Sequence, residues 1–544
     1  MTIPSPDRIP VIVGIGEITD RPKEITDGLE PLALLVEALK RAEADSGAEL
    51  LGEIDSLDIV NFLSWRYRDP EKLLSSRLGI MPKHAYYGPV GGESPIRYLH
   101  EAAKRIARGE CSVAAVCGAE AQSTATRAER AGITLPWTPF AHDVEEPKRG
   151  AAFQKPAAVK LGVFRPVSVY PFYEAATAAH WGQTPREAMA ESGALWSTYS
   201  QAASENPNAW LKRRFAPDEI TTPSADNRLI AWPYTKLMVA NPMVNMGGAL
   251  LMTSLAKARA AGIPEHKLIH ILGGASAEEP RDYLERDQFT ESHAQNAVLE
   301  AVTDLAGGKA GAFDAIELYS CFPCVPKMAR RTLGLGADVK PTVTGGLTFF
   351  GAPLNTYMTH AACAMVRKLR ASTADLKSLH DNTRKVDLPV PMPFRTSQNG
   401  VAETERELRK VGTGASLGLL YGQGGFVTKH HALVLSRQAR AEPLAQETSV
   451  QSEADRRRRA VPAFVTEASG MATVESFTAI YGRDNAVEHG VVMLRTSDNA
   501  RALARVPASD GRTLAHLLNM DRSPIGSSGA VVRADDGVLE WLIA

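Results

Sequence analysis

The chain has 544 residues, more than one hydrophobic core usually organises, so we expect several structural units. Its formal net charge of −1 excludes a global positive field of the kind that draws proteins to nucleic acids or anionic membranes. No apolar run reaches the roughly 18 residues that a membrane-spanning helix needs. Five scattered cysteines indicate reduced thiols and a cytoplasmic location rather than a disulfide framework.

The first 120 residues alternate between strand patterns and helical spacing, which is typical of parallel βα units in an α/β sheet. Strands are predicted at 9–16, 54–62 and 111–118, and helices at 32–43 and 94–108. Ser94 is the expected N-cap of the second helix, with Pro95 at its first position and Gly109 after its end.

Residues 121–232 break this alternation with polar and helical stretches, which indicates an insertion. The α/β pattern returns with a small-residue helix predicted at 247–261. Further buried strands are predicted at 268–273, 313–319 and 431–435.

The segment after the second α/β region is polar and ends in four arginines, Arg456 to Arg459, so we expect a solvated linker. Five short β-rich runs and one helix follow it, which favours a small Greek-key, OB-like barrel. The predicted domains are a first lobe (1–120 and 233–274), the insertion (121–232), a second lobe (275–437), the linker (438–460) and the barrel (461–544).

Five stretches between residues 8 and 437 resemble motifs of the thiolase superfamily, in the same order. They are residues 91–121, 184–220, 317–322, 344–353 and 421–425. In thiolases, a cysteine begins the helix of the first stretch and a Gly-x-Glu motif ends the strand after it. The last three resemble the His-Asp-Cys-Phe motif of sterol-carrier-protein-type thiolases, the Gly-His-Pro loop and the Cys-x-Gly-Gly-Gly turn.

This resemblance implies an α/β thiolase fold, with two duplicated βαβαβαββ lobes in five layers. It also implies that the insertion is the loop domain, which in thiolases holds coenzyme A against the mouth of the active site. A barrel after a linker resembles the extra C-terminal domain of the type 1 thiolase-like proteins of actinobacteria.

In thiolases, a cysteine thiolate stabilised by a helix N-terminus carries the acyl group, while a loop histidine and a second cysteine move protons. By motif position, the nucleophile falls on Gly92, the histidine on Ala352 and the second cysteine on Tyr421, and an oxyanion-hole position falls on Tyr319. Glycine and alanine can neither carry an acyl group nor transfer a proton. The resemblance therefore implies a degenerate active site without ordinary thiolase activity.

Other residues could supply the missing groups. Cys321 and Cys324 form a C-x-x-C, which leaves a redox pair open beside the favoured reading of buried structural thiols. His360 follows the Gly-Ala-Pro loop and could reach the site, although a role in helix packing is favoured. His430 and His431 enter the last strand, where we expect one to face inward and one outward. No paired His or Cys spacing indicates a metal site.

Binding of coenzyme A could survive the loss of catalysis, because it needs only a groove, apolar contacts and basic groups. Lys212, Arg213 and Arg214 are candidate phosphate contacts, with a solvated helix face as the alternative. Asn241 and Asn245 are candidates to line the acyl and pantetheine channel, by their position in the thiolase pattern. No resident cofactor is expected; coenzyme A or acyl-CoA is the expected ligand.

Three functions remain open from the sequence. The preferred one is a coenzyme A-binding or acyl-CoA-binding protein of lipid metabolism, monomeric or homodimeric, without acetyl-CoA acetyltransferase activity. The second is an active acyltransferase that uses Cys321, His360 or a small partner protein. The third is binding of single-stranded nucleic acid by the barrel, which seven arginines, no lysines and ten acidic residues make unfavourable.

Overall fold

A computed structural model describes residues 4–371, 417–439 and 442–544. Its strands are β1 (Pro10–Thr19), β2 (Ser56–Ile59), β3 (His84–Tyr87), β4 (Val113–Ala121), β5 (Leu229–Ala231), β6 (Tyr234–Thr235), β7 (Asn245–Ser254), β8 (Ile269–Glu278), β9 (Ala315–Leu318), β10 (Leu417–Gly424), β11 (Lys429–Ser436), β12 (Gly470–Tyr481), β13 (Val487–Thr496), β14 (Arg501–Pro507), β15 (Ser528–Arg533) and β16 (Leu539–Ile543).

The α-helices are α1 (Pro31–Ser46), α2 (Pro70–Leu78), α3 (Ser94–Arg108), α4 (Gln122–Ala131), α5 (Pro156–Lys160), α6 (Pro166–His180), α7 (Pro185–Glu205), α8 (Pro217–Thr221), α9 (Leu255–Ala260), α10 (His293–Leu305), α11 (Cys324–Thr332), α12 (Tyr357–Arg370), α13 (Gln451–Arg457) and α14 (Gly511–Leu517). None of the helices in the described ranges is both long and apolar enough to span a bilayer.

One nine-stranded sheet runs through the body of the molecule in the order β3-β2-β4-β7-β1-β8-β11-β10-β9. The series β1-β7-β4-β2 and β8-β11-β10-β9 share one pattern, in which two antiparallel pairings are followed by a parallel one. The two series meet through a short β1–β8 pairing at Val11 and Ile12. This repeat is the duplicated pair of lobes that the thiolase resemblance implies.

Helices cover both faces of the two half-sheets. Helix α1 packs on β1 and β7, and α10 packs on β8 and β11. Helices α3 and α12 contact each other and reach strands of both halves, α3 through β4 and β11 and α12 through β7 and β10. They form the buried middle layer, which places the N-terminus of α3 between the two lobes.

The C-terminal strands form a closed barrel in the order β12-β13-β14-β16-β15-β12. Its interior holds apolar side chains such as Phe477 and the fully buried Trp541. This confirms the predicted five-stranded barrel. The β5–β6 hairpin of the insertion extends the barrel sheet, because Ala231 pairs with Ile480 of β12.

The small-residue segment predicted as a helix at 247–261 is instead mostly strand β7, and only Leu255–Ala260 is helical. The glycines serve close packing: a Cβ on Gly247 would lie 2.9 Å from the Leu34 carbonyl oxygen, and one on Gly248 would lie 3.0 Å from the Thr359 methyl. Two predicted boundaries also fall inside elements, residue 274 within β8 and residue 232 within the β5–β6 hairpin.

Residues 451–457, expected to belong to a flexible linker, instead form helix α13, which packs on α10. Arg457 pairs with Glu300 at 2.6 Å, and Arg458 pairs with the buried carboxylate of Glu279 at 3.0 Å. The arginine run therefore docks on acidic residues of the second lobe instead of remaining in solvent.

Candidate functional site

The N-terminus of α3 is held by two polar side chains of the second lobe, Asn355 and Lys429. The backbone N–H of Gly91 donates to the Asn355 side chain at 3.1 Å. The Lys429 ammonium donates to the Val90 carbonyl at 2.5 Å and pairs with Glu93 at 3.2 Å. Helix α3 begins at Ser94, so Ser94 is its first residue and Glu93, whose side chain makes no capping bond, takes the predicted N-cap position.

The space around Gly92 is filled by Tyr319. A Cβ atom placed on Gly92 would lie 2.4 Å from the Tyr319 hydroxyl oxygen and 2.4 Å from the Gln423 carbonyl oxygen. The Tyr319 backbone N–H donates to the Tyr421 carbonyl at 3.0 Å, and its ring packs edge-on against Tyr357. A thiol at position 92 would therefore overlap the aromatic side chain that now stands there.

Tyr421 belongs to a buried hydrogen-bond chain. Gln295 donates to the Tyr421 hydroxyl at 2.8 Å, the hydroxyl donates to Nδ1 of His430 at 2.8 Å, and Nε2 of His430 donates to the Val427 carbonyl at 3.0 Å. Burial raises the pKa of Tyr421 and lowers the pKa of His430 to about 4, so both are neutral at pH 7. The Tyr421 hydroxyl and both ring nitrogens of His430 already have hydrogen-bond partners, which suits a structural role better than proton transfer.

Cys321 lies beside the cleft at the N-terminus of α3, where Tyr319 fills the space around Gly92. It accepts a hydrogen bond from the Gln423 amide at 3.2 Å, and the same amide donates to the Tyr170 hydroxyl at 2.6 Å. Burial raises the pKa of the Cys321 thiol to about 12 and also raises the pKa of Cys324. Both cysteines are free and buried, and burial disfavours the thiolate that redox or acyl chemistry needs.

The histidines lie in the helix–sheet core. Nδ1 of His360 contacts Glu17 of β1 at 2.6 Å, and the His360 ring packs on Phe350, so its role is to join α12 to the first lobe. His430 and His431 are both buried, against the expectation that one faces outward, because helices cover both faces of β11. His431 contacts Nδ1 of His100 at 3.1 Å.

The loop that carries Ala352 joins the cleft to a neighbouring cavity. The buried Ala352 donates its backbone N–H to the Asn241 carbonyl at 2.9 Å. Asn241 in turn lines a cavity of about 910 Å³ between the insertion and this loop. We call it the insertion cavity; its other lining residues include Trp210, Arg213, Phe215, Lys236, Met243 and Thr348.

The insertion cavity brings together two of the five predicted ligand contacts, Arg213 and Asn241. Lys212 and Arg214 are exposed neighbours of Arg213 and do not line it. Asn245 is not a channel residue: it is buried at the start of β7, where it accepts from the Thr124 backbone at 3.0 Å and donates to the Thr124 hydroxyl at 2.8 Å.

The charge of the insertion cavity is mixed. Arg213 pairs with Glu219 and its guanidinium lies 4.5 Å from the Phe215 ring centroid. Asp218, Glu219 and Asp226 outnumber the cations Arg213 and Lys236 in the lining. The interior therefore suits a neutral or weakly polar group, and the exposed Lys212–Arg214 run offers positive charge at its rim.

Sequence analysis missed the polar residues that brace the cleft, namely Asn355, Gln423 and Lys429. No sequence pattern marked them, and Lys429 lies before the strand predicted at 431–435, among Thr428, His430 and His431. A second cavity of about 740 Å³ lies against Val90, Leu354 and Lys429, on elements whose composition gave no sign of it.

Comparison with known proteins agrees with this architecture. Residues 449–537 match the family described as the thiolase-like protein type 1 additional C-terminal domain. The structure of a monomeric SCP2-thiolase like protein type 1 from Mycobacterium smegmatis is 26% identical and covers all of both chains, with a TM-score of 0.76. No curated protein matches the sequence significantly.

More distant structures share the fold over 79% of this chain. The Ltp2-ChsH2(DUF35) aldolase is 17% identical, covering 79% of this chain and 98% of its own, with a TM-score of 0.55. Human mitochondrial 3-ketoacyl-CoA thiolase in complex with CoA is 14% identical over the same shares, with a TM-score of 0.51. The C-terminal segment thus matches the additional domain of type 1 thiolase-like proteins, and the full-length chain is similar in fold to the Mycobacterium smegmatis protein of that type.

Proposed function

We propose that the protein binds coenzyme A or acyl-CoA in the cytoplasm, in a role in lipid metabolism, and does not catalyse ordinary thiolase chemistry. The absence of thiolase catalysis is inferred from one observation: the Tyr319 hydroxyl oxygen lies 2.4 Å from the position that a Cβ on Gly92 would take. A nucleophile at the tip of α3 has no room there. The nearest thiol, Cys321, has its pKa raised by burial to about 12.

The insertion cavity supports the proposed binding of coenzyme A or acyl-CoA. Its volume of about 910 Å³ lies within the range of roughly 300–1,000 Å³ typical of small-molecule sites. The pantetheine arm would lie between Trp210, Phe215 and Asn241, and the phosphates would lie outside the acidic interior near Lys212–Arg214. The distant relative in complex with CoA is a protein of the same fold.

Two measurements test this function. Incubation with acetoacetyl-CoA and coenzyme A is expected to give no acetyl-CoA, and titration calorimetry is expected to detect coenzyme A binding that Arg213→Gln weakens. Arg68→Gln is the matched control, because Arg68 is also an exposed arginine paired with one carboxylate and lies outside the insertion cavity. Robust thiolysis, or the absence of coenzyme A binding, would overturn the proposal.

A second candidate is an active acyltransferase that uses Cys321, His360 or a small partner protein. The structural match to the Ltp2-ChsH2(DUF35) aldolase, an assembly of two proteins, supports a partner for this candidate. An acyl-CoA substrate trap followed by mass spectrometry tests it: an adduct on Cys321 supports this candidate, and an unmodified Cys321 opposes it.

We also propose that the chain is a monomer, as its relative from Mycobacterium smegmatis is described to be. Light scattering after size-exclusion chromatography is expected to give a mass near 58.6 kDa. A mass twice as large would show a homodimer instead.

A further inference from the structure

The second cavity, of about 740 Å³, has a composition unlike that of the insertion cavity. It lies between the first part of the insertion and the turn that joins β10 to β11, and we call it the basic cavity. It shares no lining residue with the insertion cavity. Its charged lining residues are Glu146, Lys148, Arg149, Arg165, Arg281 and Lys429.

Positive charge in the basic cavity exceeds what its acidic residue can neutralise. Arg149 pairs with Glu146 at 2.8 Å, and Lys429 pairs with Glu93 at 3.2 Å. Within residues 4–371, 417–439 and 442–544, no carboxylate forms an ion pair with the other three cations, Lys148, Arg165 and Arg281. Three uncompensated cations around one cavity favour an anionic occupant.

The two unpaired arginines are held by aromatic rings at the cavity wall. The Arg165 guanidinium lies 5.2 Å from the Phe164 ring centroid, and that of Arg281 lies 5.0 Å from the Phe153 ring centroid. A cation–π contact restrains each guanidinium and still leaves N–H groups that can donate to a carboxylate or phosphate. An arginine guanidinium can form charge-assisted hydrogen bonds to such an anion.

The remaining wall is apolar. Leu63, Val90, Phe153, Phe164, Leu354 and Phe426 line the basic cavity. An inorganic anion would leave these groups in water, whereas an anion with an apolar body would cover them.

Two residues with unusual backbone conformations lie at the basic cavity. Leu354 has φ 44° and Val427 has φ 56°, a region that bulky apolar residues rarely adopt. The other non-glycine residues with positive φ in the described chain are aspartate or asparagine, which tolerate it. Leu354 lines the basic cavity, and Val427 lies between its lining residues Phe426 and Thr428. Such conformations concentrate at ligand sites, because the surrounding structure must enforce them.

We propose that the basic cavity binds a small amphipathic anion, with its carboxylate or phosphate head on Arg165 and Arg281 and its apolar body against the phenylalanines. This site lies beside the α3 N-terminus yet apart from the insertion cavity. It does not depend on the proposed coenzyme A function.

The test is titration calorimetry of the full-length protein with octanoate, octyl phosphate and octanol. At least one anion is expected to bind, and octanol is expected to bind about tenfold more weakly, the effect of losing one or two charge-assisted hydrogen bonds. The stronger of the two anions identifies the head group as carboxylate or phosphate. Absence of binding by both anions, or equal binding of octanol, would overturn the inference.

Variants locate the bound anion. Arg165→Gln combined with Arg281→Gln is expected to lower the anion affinity at least about tenfold, whereas Arg130→Gln, an exposed residue of α4, and Arg213→Gln leave it unchanged. Saturating coenzyme A is expected not to displace the anion. Displacement, or an unaffected affinity in the double variant, would contradict a separate site. Failure of coenzyme A to bind would count against the proposed function alone.

Discussion

Tyr319 occupies the volume that any side chain at position 92 requires, so even alanine should be too large there. We expect Gly92→Ala to lower the free energy of unfolding by about 1–3 kcal/mol, the usual cost of overpacking a rigid core. Gly52→Ala and Gly311→Ala are matched controls, since a Cβ at either position meets nothing within 4 Å. Urea unfolding of the three variants checks the prediction, and an equal stability of all three would contradict it.

The buried His430 should make the free energy of unfolding depend on pH. Its folded pKa of about 4 lies below its ordinary value of 6.5, because burial disfavours the charged ring. The neutral ring therefore contributes its full stabilisation above pH 6.5, and this is lost as the pH falls towards 4. Glu120 and Glu317 act in the opposite sense: burial raises the pKa of each to about 7, and the stability they contribute is lost as the pH rises through that value.

The His430 effect is isolated by comparison with His430→Asn, which retains an acceptor for the Tyr421 hydroxyl. Between pH 6.5 and 4 the variant is expected to lose stability less steeply than the parent, by up to about 1.4 kcal/mol per pH unit. His266→Asn, at an exposed histidine, should keep the parent slope. Parallel pH profiles for parent and His430→Asn would refute the assignment.

The resemblance to thiolase motifs, which keep their order along the chain, singled out positions Gly92, Tyr319, Ala352 and Tyr421. The spacing of the motifs could not predict that Tyr319 fills the cleft beside Gly92. That depends on how the Tyr319 side chain is directed towards helix α3, which lies more than 200 positions earlier in the chain. Asn245 was misplaced for the same reason: its partner Thr124 lies on another element.

At the scale of elements, alternating patterns separated by clear turn residues predict the five barrel strands at 472–481, 488–496, 502–506, 530–533 and 538–543. Each predicted end lies within two residues of the observed one. Strand β7 was missed because its Gly-Gly-Ala composition lacks both the alternation and the β-branched residues that mark strands. Its glycines are explained only by the helices packed on it, which the local sequence does not contain.

Helix α13 packs on the second lobe shortly before the barrel begins, and Arg458, the residue after the helix, pairs with Glu279 of that lobe. Although burial raises the pKa of its partner Glu279, the Arg286 guanidinium and hydrogen bonds to that carboxylate bring the pKa down to about 2. Arg458→Ala would leave a buried carboxylate with one fewer cation. We expect a loss of about 1–3 kcal/mol in unfolding free energy, measured by denaturant titration.

Arg456→Ala provides the control for this helix. Arg456 is exposed and contacts only Glu453 of the same helix, so its removal should change the stability by less than about 0.5 kcal/mol. Equal effects of the two substitutions would show that α13 does not dock through Arg458.

At the scale of the whole molecule, the barrel is built into the body rather than tethered to it. The fully buried Arg501 of β14 bonds Glu475 of the barrel and donates to the carbonyls of Leu284 and Arg286 in the second lobe. Ser476 donates to the Phe172 carbonyl of the insertion at 2.6 Å. Separation would leave these buried groups without partners.

We therefore expect the barrel and the body to unfold together. Differential scanning calorimetry of the full chain should show one cooperative transition, with the calorimetric and van't Hoff enthalpies in agreement. Two resolved transitions would show that the barrel melts independently.

The β5–β6 hairpin restricts how this protein can be recombined with its relatives. Ala231 of this hairpin pairs with Ile480 in the barrel sheet. The two residues that follow the hairpin, Lys236 and Leu237, line the insertion cavity. A chimaera that exchanges only the barrel would break the pairing between β5 and β12 and would disturb the wall of the insertion cavity. A transplant that respects the architecture must carry the hairpin together with the barrel.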